Sequence, residues 1–245
     1  MGRAFEFRKA RKLKRWSTIS KTFTRLSKEI IISVKENGND PSNNSKLRAL
    51  IQNAKAENMP KDNIERAIKK ANDSNDENYK EVLFEGYGPH GVAILIETAT
   101  NNNNRTVANI RSYFNKLNGN LGTAGSVEFM FDHVCNFRIK SENIVPEEIE
   151  LEFIDYGLEE IEVENNELLL YAPFNNFGSI QKALELKKIE IISSSFERIP
   201  KNTLSISSNK LTEVLKLIEK IEEDEDVQNV YSNIDYSENQ LKSNL

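Results

Sequence analysis

The stretch GYGPHGVAILI, residues 86–96, marks the point where the chain changes from one pattern to another. Three glycines and a proline within Gly86–Gly91 specify a turn. Val92-Ala93-Ile94-Leu95-Ile96 then runs without a polar residue, the pattern of a strand buried on both faces. A short strand at Val82-Leu83-Phe84 precedes the turn, so the two strands make a hairpin.

Upstream of this point the apolar spacing is helical. Ile19, Phe23, Leu26, Ile30 and Val34 lie on one face, and Asn37-Gly38-Asn39-Asp40-Pro41 breaks the segment. Leu47, Leu50, Ile51 and Ala54 mark a second helix, and Ile64, Ala67, Ile68 and Ala71 a third. Three amphipathic helices bury their stripes on one another, which predicts a helical domain over residues 1–71 with a polar linker, Asn72 to Asn78, behind it.

Downstream, Asn104 is the expected cap of a helix with Val107, Ile110, Phe114 and Leu117 inward, and Asn118-Gly119 ends it. Val127, Phe129 and Phe131 alternate with Glu128, Met130 and Asp132 as in a strand with one covered face. From His133 a βαββαβ order follows: a strand at Phe137 and Ile139, a helix at Ile149 to Tyr156, a hairpin turning at Asn165-Asn166, a helix at Phe177 to Leu184, and a strand at Ile189 to Ile192. After Pro200 come a strand at Thr203 to Ile206, a helix at Leu211 to Ile221 and a strand at Val227 to Tyr231, too few to bury a core alone. The expected fold class is therefore α+β: a three-helix domain (1–71) and two α/β domains of ferredoxin-like character. The second takes residues 72–132 and 201–238, and the third, 133–200, is inserted in it.

The chain has 245 residues and a net charge of −5, yet residues 1–71 hold 18 Lys or Arg against 7 acids and the remaining 174 hold 15 against 31. A +11 segment joined to a −16 remainder points to a polyanion as partner of the first segment. The single cysteine, Cys135, excludes an internal disulfide and suggests the cytoplasm. No run is long and apolar enough to span a membrane. His133 and Cys135 fall on one face of a strand, but nothing nearby completes a four-ligand zinc set, so packing roles are expected and no metal or cofactor.

The Gly86–Gly91 turn invites a phosphate-loop reading, but it lacks the G-x-G-x-x-G and Walker spacings and leads into a strand. A hairpin turn that brings Tyr87 to the surface fits better, with the ring packed under the loop or stacked on a base. Asn101 to Thr106, followed by Arg111, sets polar donors and two cations at a helix start, read either as a phosphate contact or as a capped helix with solvated arginines. The acids Glu222 to Asp226 read as a solvated helix end. No nucleophile elbow or H-E-x-x-H motif is present.

Five ordered stretches, Ser20-Lys21-Thr22-Phe23-Thr24-Arg25-Leu26-Ser27-Lys28-Glu29-Ile30, Asn58-Met59-Pro60-Lys61-Asp62-Asn63-Ile64-Glu65-Arg66-Ala67-Ile68, Glu85-Gly86-Tyr87-Gly88-Pro89, Asn104-Arg105-Thr106-Val107-Ala108 and Gly119-Asn120-Leu121-Gly122-Thr123-Ala124-Gly125-Ser126-Val127, resemble the YebC family, which includes the mitochondrial translational activator of cytochrome c oxidase. The resemblance implies a three-domain, non-enzymatic regulator of gene expression. Members are described either as DNA-binding transcriptional regulators or as translation factors that act on the ribosome and relieve stalling on proline-rich chains.

The expected partner is thus nucleic acid, promoter DNA or ribosomal RNA. The expected contact residues are Arg8, Lys9, Arg11, Lys12, Lys14, Arg15, Lys21, Arg25 and Lys28 of the basic segment, with Tyr87, Arg105 and Arg111. A distant alternative is an enzyme that takes a phosphorylated small molecule at Gly86–Gly91.

Overall fold

The computed structural model describes residues 19–72, 78–142 and 144–235. In chain order the elements are α1 (Ile19–Asn37), α2 (Ser45–Ala56), α3 (Lys61–Asn72), β1 (Lys80–Tyr87), β2 (Ala93–Thr100), α4 (Asn103–Lys116), β3 (Asn120–Leu121), β4 (Phe131–Lys140), α5 (Pro146–Phe153), β5 (Glu160–Glu164), β6 (Glu167–Pro173), α6 (Phe177–Leu186), β7 (Ile191–Pro200), α7 (Ser208–Glu222) and β8 (Val227–Ser232). The class is α+β: three helices followed by two antiparallel sheets.

The stripes of α1, α2 and α3 meet in one core that contains Leu26, Ile30, Val34, Leu47, Leu50, Ala54, Ile64, Ala67 and Ala71. The turn between α1 and α2 is fixed by Asn44, only 2% exposed. Its Oδ1 accepts from the Leu47 amide at 2.9 Å and so caps α2, while its Nδ2 donates to the Ser33 and Gly38 carbonyls. Gly38 supplies the left-handed residue, φ +85°, that lets the chain leave α1.

The first sheet has the order β3-β1-β2-β8. β1 and β2 pair from Lys80↔Thr100 to Tyr87↔Ala93, and the Gly88 amide closes the turn on the Val92 carbonyl at 2.8 Å. Ile94, Leu95 and Ile96 are all 0% exposed because both faces of this central strand are covered. Ile94 and Ile96 lie under Ile110 and Phe114 of α4 and Leu211, Val214, Leu217 and Ile218 of α7. On the other side Ala93 and Leu95 meet Val127, Phe131 and Tyr231.

The second sheet has the order β5-β6-β4-β7, antiparallel throughout, with connectivity β4-α5-β5-β6-α6-β7. That is the ferredoxin-like split βαβ arrangement expected from His133 onward. Cys135, Phe137, Ile139, Leu168 and Leu170 form its inner face beneath Ile149, Phe153, Phe177, Ile180 and Leu184. β7 is an edge strand, and α2 lies against it. There Asn53 pairs with the Ser194 backbone like a neighbouring strand, its Nδ2 donating to the carbonyl at 2.5 Å and its Oδ1 accepting from the amide at 2.9 Å. An open edge thus receives a side-chain partner.

Three expectations about strands fail. Val127 to Phe131 is no strand: Glu128–Met130 is a 3-10 turn and Phe129 is 66% exposed, because the Val127 and Glu128 amides are held by the Glu85 carboxylate and are lost to any ladder. Thr203 to Ile206 forms only one parallel bridge, Leu204↔Ile234. The closing strand begins at Ile191 and extends to Pro200, well past Ile192, because β4 continues alongside it as far as Phe131.

Candidate nucleic-acid interface

α4 starts directly after β2, and its true cap is Asn102 rather than Asn104: Asn102 Oδ1 accepts from the Arg105 amide at 3.1 Å. One turn into the helix, Arg105 and Thr106 reach Asp226, the residue before β8. The Asp226 carboxylate, 4% exposed, accepts from Arg105 Nη2 at 2.7 Å, Thr106 Oγ1 at 2.8 Å, Thr100 Oγ1 at 3.1 Å and Lys28 Nζ at 3.2 Å. Burial works against its charge, but the Arg105, Thr106 and Lys28 donors outweigh burial and hold its pKa below the ordinary value.

Lys28 was expected on the phosphate-binding face and is instead buried, its ammonium shared among Asp226 and the carbonyls of Ala99 and Glu225. Arg25, one turn earlier, is partly buried and donates to the Glu222 carbonyl at 3.4 Å. Lys21, one turn earlier still, is exposed and helps hold the Glu223 pKa down, after the larger effect of Lys220. The stripe Lys21-Arg25-Lys28 therefore lies along the acidic run 222–226 of the same chain. That run is no merely solvated helix end, since Asp226 is 3% exposed and Asp224 accepts from Tyr113 Oη at 2.9 Å and Asn109 Nδ2 at 3.1 Å. Arg105, expected to be solvated or on phosphate, has its charge committed to Asp226, although its side chain is 49% exposed.

Tyr87 is 38% exposed, with its hydroxyl donating to the Ser126 carbonyl at 3.3 Å, so it packs against the 122–130 loop with part of the ring open. The glycines beside it serve close packing: a Cβ on Gly86 would stand 2.6 Å from the Asn120 carbonyl oxygen, and one on Gly88 2.8 Å from Ile94 Cδ1. The loop it touches is wrapped around Glu85. This carboxylate, 3% exposed, accepts from the amides of Gly125 at 2.6 Å, Val127 at 2.7 Å and Glu128 at 2.8 Å. Burial raises its pKa, and these amides, Val127 foremost, lower it further than burial raises it. The loop amides that would suit an external anion are occupied by an internal one.

Arg111 is exposed on α4, where it borders a shallow depression with Ala108, Ser112, Asn115 and Lys116. Arg8, Lys9, Arg11, Lys12, Lys14 and Arg15 lie outside the described residues. His133 stacks on Phe174 with ring centroids 4.0 Å apart, its pKa pushed down to about 4 by burial and Arg198. Burial pushes the neighbouring Cys135 thiol up to about 12. Both are packing residues. Among the described residues no helix is long and apolar enough to cross a membrane, and no group of three His, Cys, Asp or Glu is placed to hold a metal ion. The sequence does not single out Asp226 and Glu85 as organising residues: Asp226 is the last of five consecutive acids, and nothing but the apolar Val227 after it sets it apart.

A family model described as the TACO1/YebC N-terminal domain matches residues 3–74, and one described as the TACO1/YebC second and third domain matches residues 79–234. A probable transcriptional regulatory protein of Flavobacterium psychrophilum is 65% identical over 231 residues, 94% of this chain and 98% of the relative. One of Parabacteroides distasonis is 55% identical over 235 residues, 96% and 97% of the two chains. The crystal structure of a conserved hypothetical protein from Aquifex aeolicus superposes with a TM-score of 0.75 at 32% identity, covering 91% of this chain and 97% of that one.

Proposed function

Because the chain belongs to the TACO1/YebC family, we propose that it is a cytoplasmic regulator of gene expression, without catalytic activity, that binds nucleic acid, with promoter DNA as its target. The observation that carries the reading is the segregation of charge, 18 Lys or Arg against 7 acids in residues 1–71 of an acidic protein. The names of its relatives, probable transcriptional regulatory proteins, support the same role.

The residues that serve this contact are Arg8, Lys9, Arg11, Lys12, Lys14 and Arg15, with Lys21 and Arg111 as exposed additions. Lys28, Arg25 and Arg105 are withdrawn from the set, since internal acceptors hold them. With ~5 phosphates neutralised, log affinity falls with log salt at a slope of about −4 to −5. Charge reversal at Arg8, Lys9, Arg11 and Lys12 is expected to abolish binding to duplex DNA. Unchanged binding of that variant to DNA, RNA and ribosomes refutes the proposal.

Ribosomal RNA is the second reading. Phosphate contacts carry no sequence information, so the same cations serve either polymer. Crosslinking in cells followed by sequencing of bound RNA and DNA separates them: discrete promoter peaks support transcription, and enrichment of ribosomal RNA supports translation.

A further inference from the structure

Among the described residues, the second sheet carries an unpartnered apolar face on its helical side. On α5 and the turn after it, Ile149 and Phe153 point into the core, while Leu151 is 76% exposed and Ile154 61%. β5, at the edge of the sheet, adds Val163, 63% exposed. Val163 shares its side of the strand with Ile161, which packs toward the core under the helices, and β5 lies against α5. A single exposed leucine needs no explanation, but three large apolar side chains on one rim do.

The segment that carries this face is one-sided in charge. Residues 142–167 contain eleven Asp or Glu and no Lys or Arg. Glu147 and Glu150 occupy the same face of α5 as Leu151 and Ile154, at helical spacings of three, four and seven. Both are exposed, as are Glu148 and Asp155. Glu152, the neighbour on the other flank, is paired with Lys187. Such a rim repels nucleic acid and anionic lipid, so the surface is separate in purpose from the basic segment proposed to meet phosphate.

We propose that the α5 face of the second sheet is a docking surface for a basic protein segment, one in which Lys or Arg residues alternate with large apolar ones. The apolar side chains of the partner cover Leu151, Ile154 and Val163, and its cations meet Glu147, Glu150 and Asp155. Charge complementarity selects the partner and the apolar contact holds it.

The test uses the full chain and two synthetic helical peptides of equal length, one of Leu and Lys and one of Leu and Glu, followed by fluorescence anisotropy. The Leu/Lys peptide is expected to bind and the Leu/Glu peptide not. Leu151→Ser with Ile154→Ser, and separately Glu147→Lys with Glu150→Lys, each weaken binding by about tenfold or more, the scale of one lost buried contact. Asp62→Lys with Glu65→Lys on the exposed face of α3 leaves it unchanged. Equal affinity for all variants, or an equal loss from the α3 control, overturns the proposal. In cells, a photo-crosslinker at position 151 is expected to capture a Lys- or Arg-rich segment of another protein. Capture only of a second copy of this chain, or only of nucleic acid, overturns it.

Discussion

Asp226→Asn keeps the volume of a side chain that is 4% exposed and removes its charge. Lys28, 10% exposed, then retains two carbonyl acceptors but has no counter-ion. Breaking a buried pair in this way costs about 3–5 kcal/mol. Arg105, half exposed, turns to solvent and recovers part of its loss, which places the expected cost near the lower end, about 3 kcal/mol. For a chain of this size about 2–4 °C of melting temperature accompanies each kcal/mol, so the midpoint falls by about 6–12 °C. The pH dependence has a definite sign. A depressed pKa contributes stability that is complete above the unfolded value of about 3.9 and is lost as pH falls through the folded value. The gap between parent and Asp226→Asn is therefore constant above about pH 5 and shrinks below about pH 4. Urea unfolding of Asp226→Asn, Lys28→Met and the double variant, run as a cycle, measures the pair directly. A cost below about 1 kcal/mol for Asp226→Asn, or additive single effects, refutes the claim that this carboxylate ties α1 to the first sheet.

Two further outcomes follow from the same kind of accounting. Glu85→Gln sets an amide group among three backbone donors and leaves at least one unmatched, so stability falls by roughly 3 kcal/mol and the amides of Gly125, Val127 and Glu128 exchange faster with deuterium; parental exchange rates there contradict the role assigned to Glu85. Asn53→Ala removes both bonds to Ser194 at the β7 edge, for about 1–2 kcal/mol and faster exchange of the Ser194 amide, and protection equal to that of the parent contradicts the edge-pairing account.

The elements were legible where local pattern decides them. Val92 to Ile96 announced a central strand because burial on both faces leaves no polar position, and the three N-terminal stripes were legible because each helix buries one face. The cationic stripe Lys21-Arg25-Lys28 could be seen as a stripe, but not the direction in which it faces, since the acceptors stand 197 residues away for Arg25, at the Glu222 carbonyl, and 198 for Lys28, at the Asp226 carboxylate. The same distance hid Asp226, whose burial depends on donors from α1, β2 and α4 together. Phe129 misled because its alternation with Val127 and Phe131 is real, while the backbone beneath it is bound to Glu85 and turns instead of extending.

The attachment of Lys28 to Asp226 also orders events in time. A nascent chain grows at roughly 5–20 residues per second, so the lysine waits roughly 10–40 s for its counter-ion, which is synthesised 198 residues later. By then the strands and helices of the second sheet, which ends at Pro200, have already been made. The last described strand, β8, closes the open side of β2 and at the same stage delivers Asp226 to α1 and α4. A chain halted before that point presents an uncovered strand edge, open to pairing with another chain, and an uncompensated lysine together.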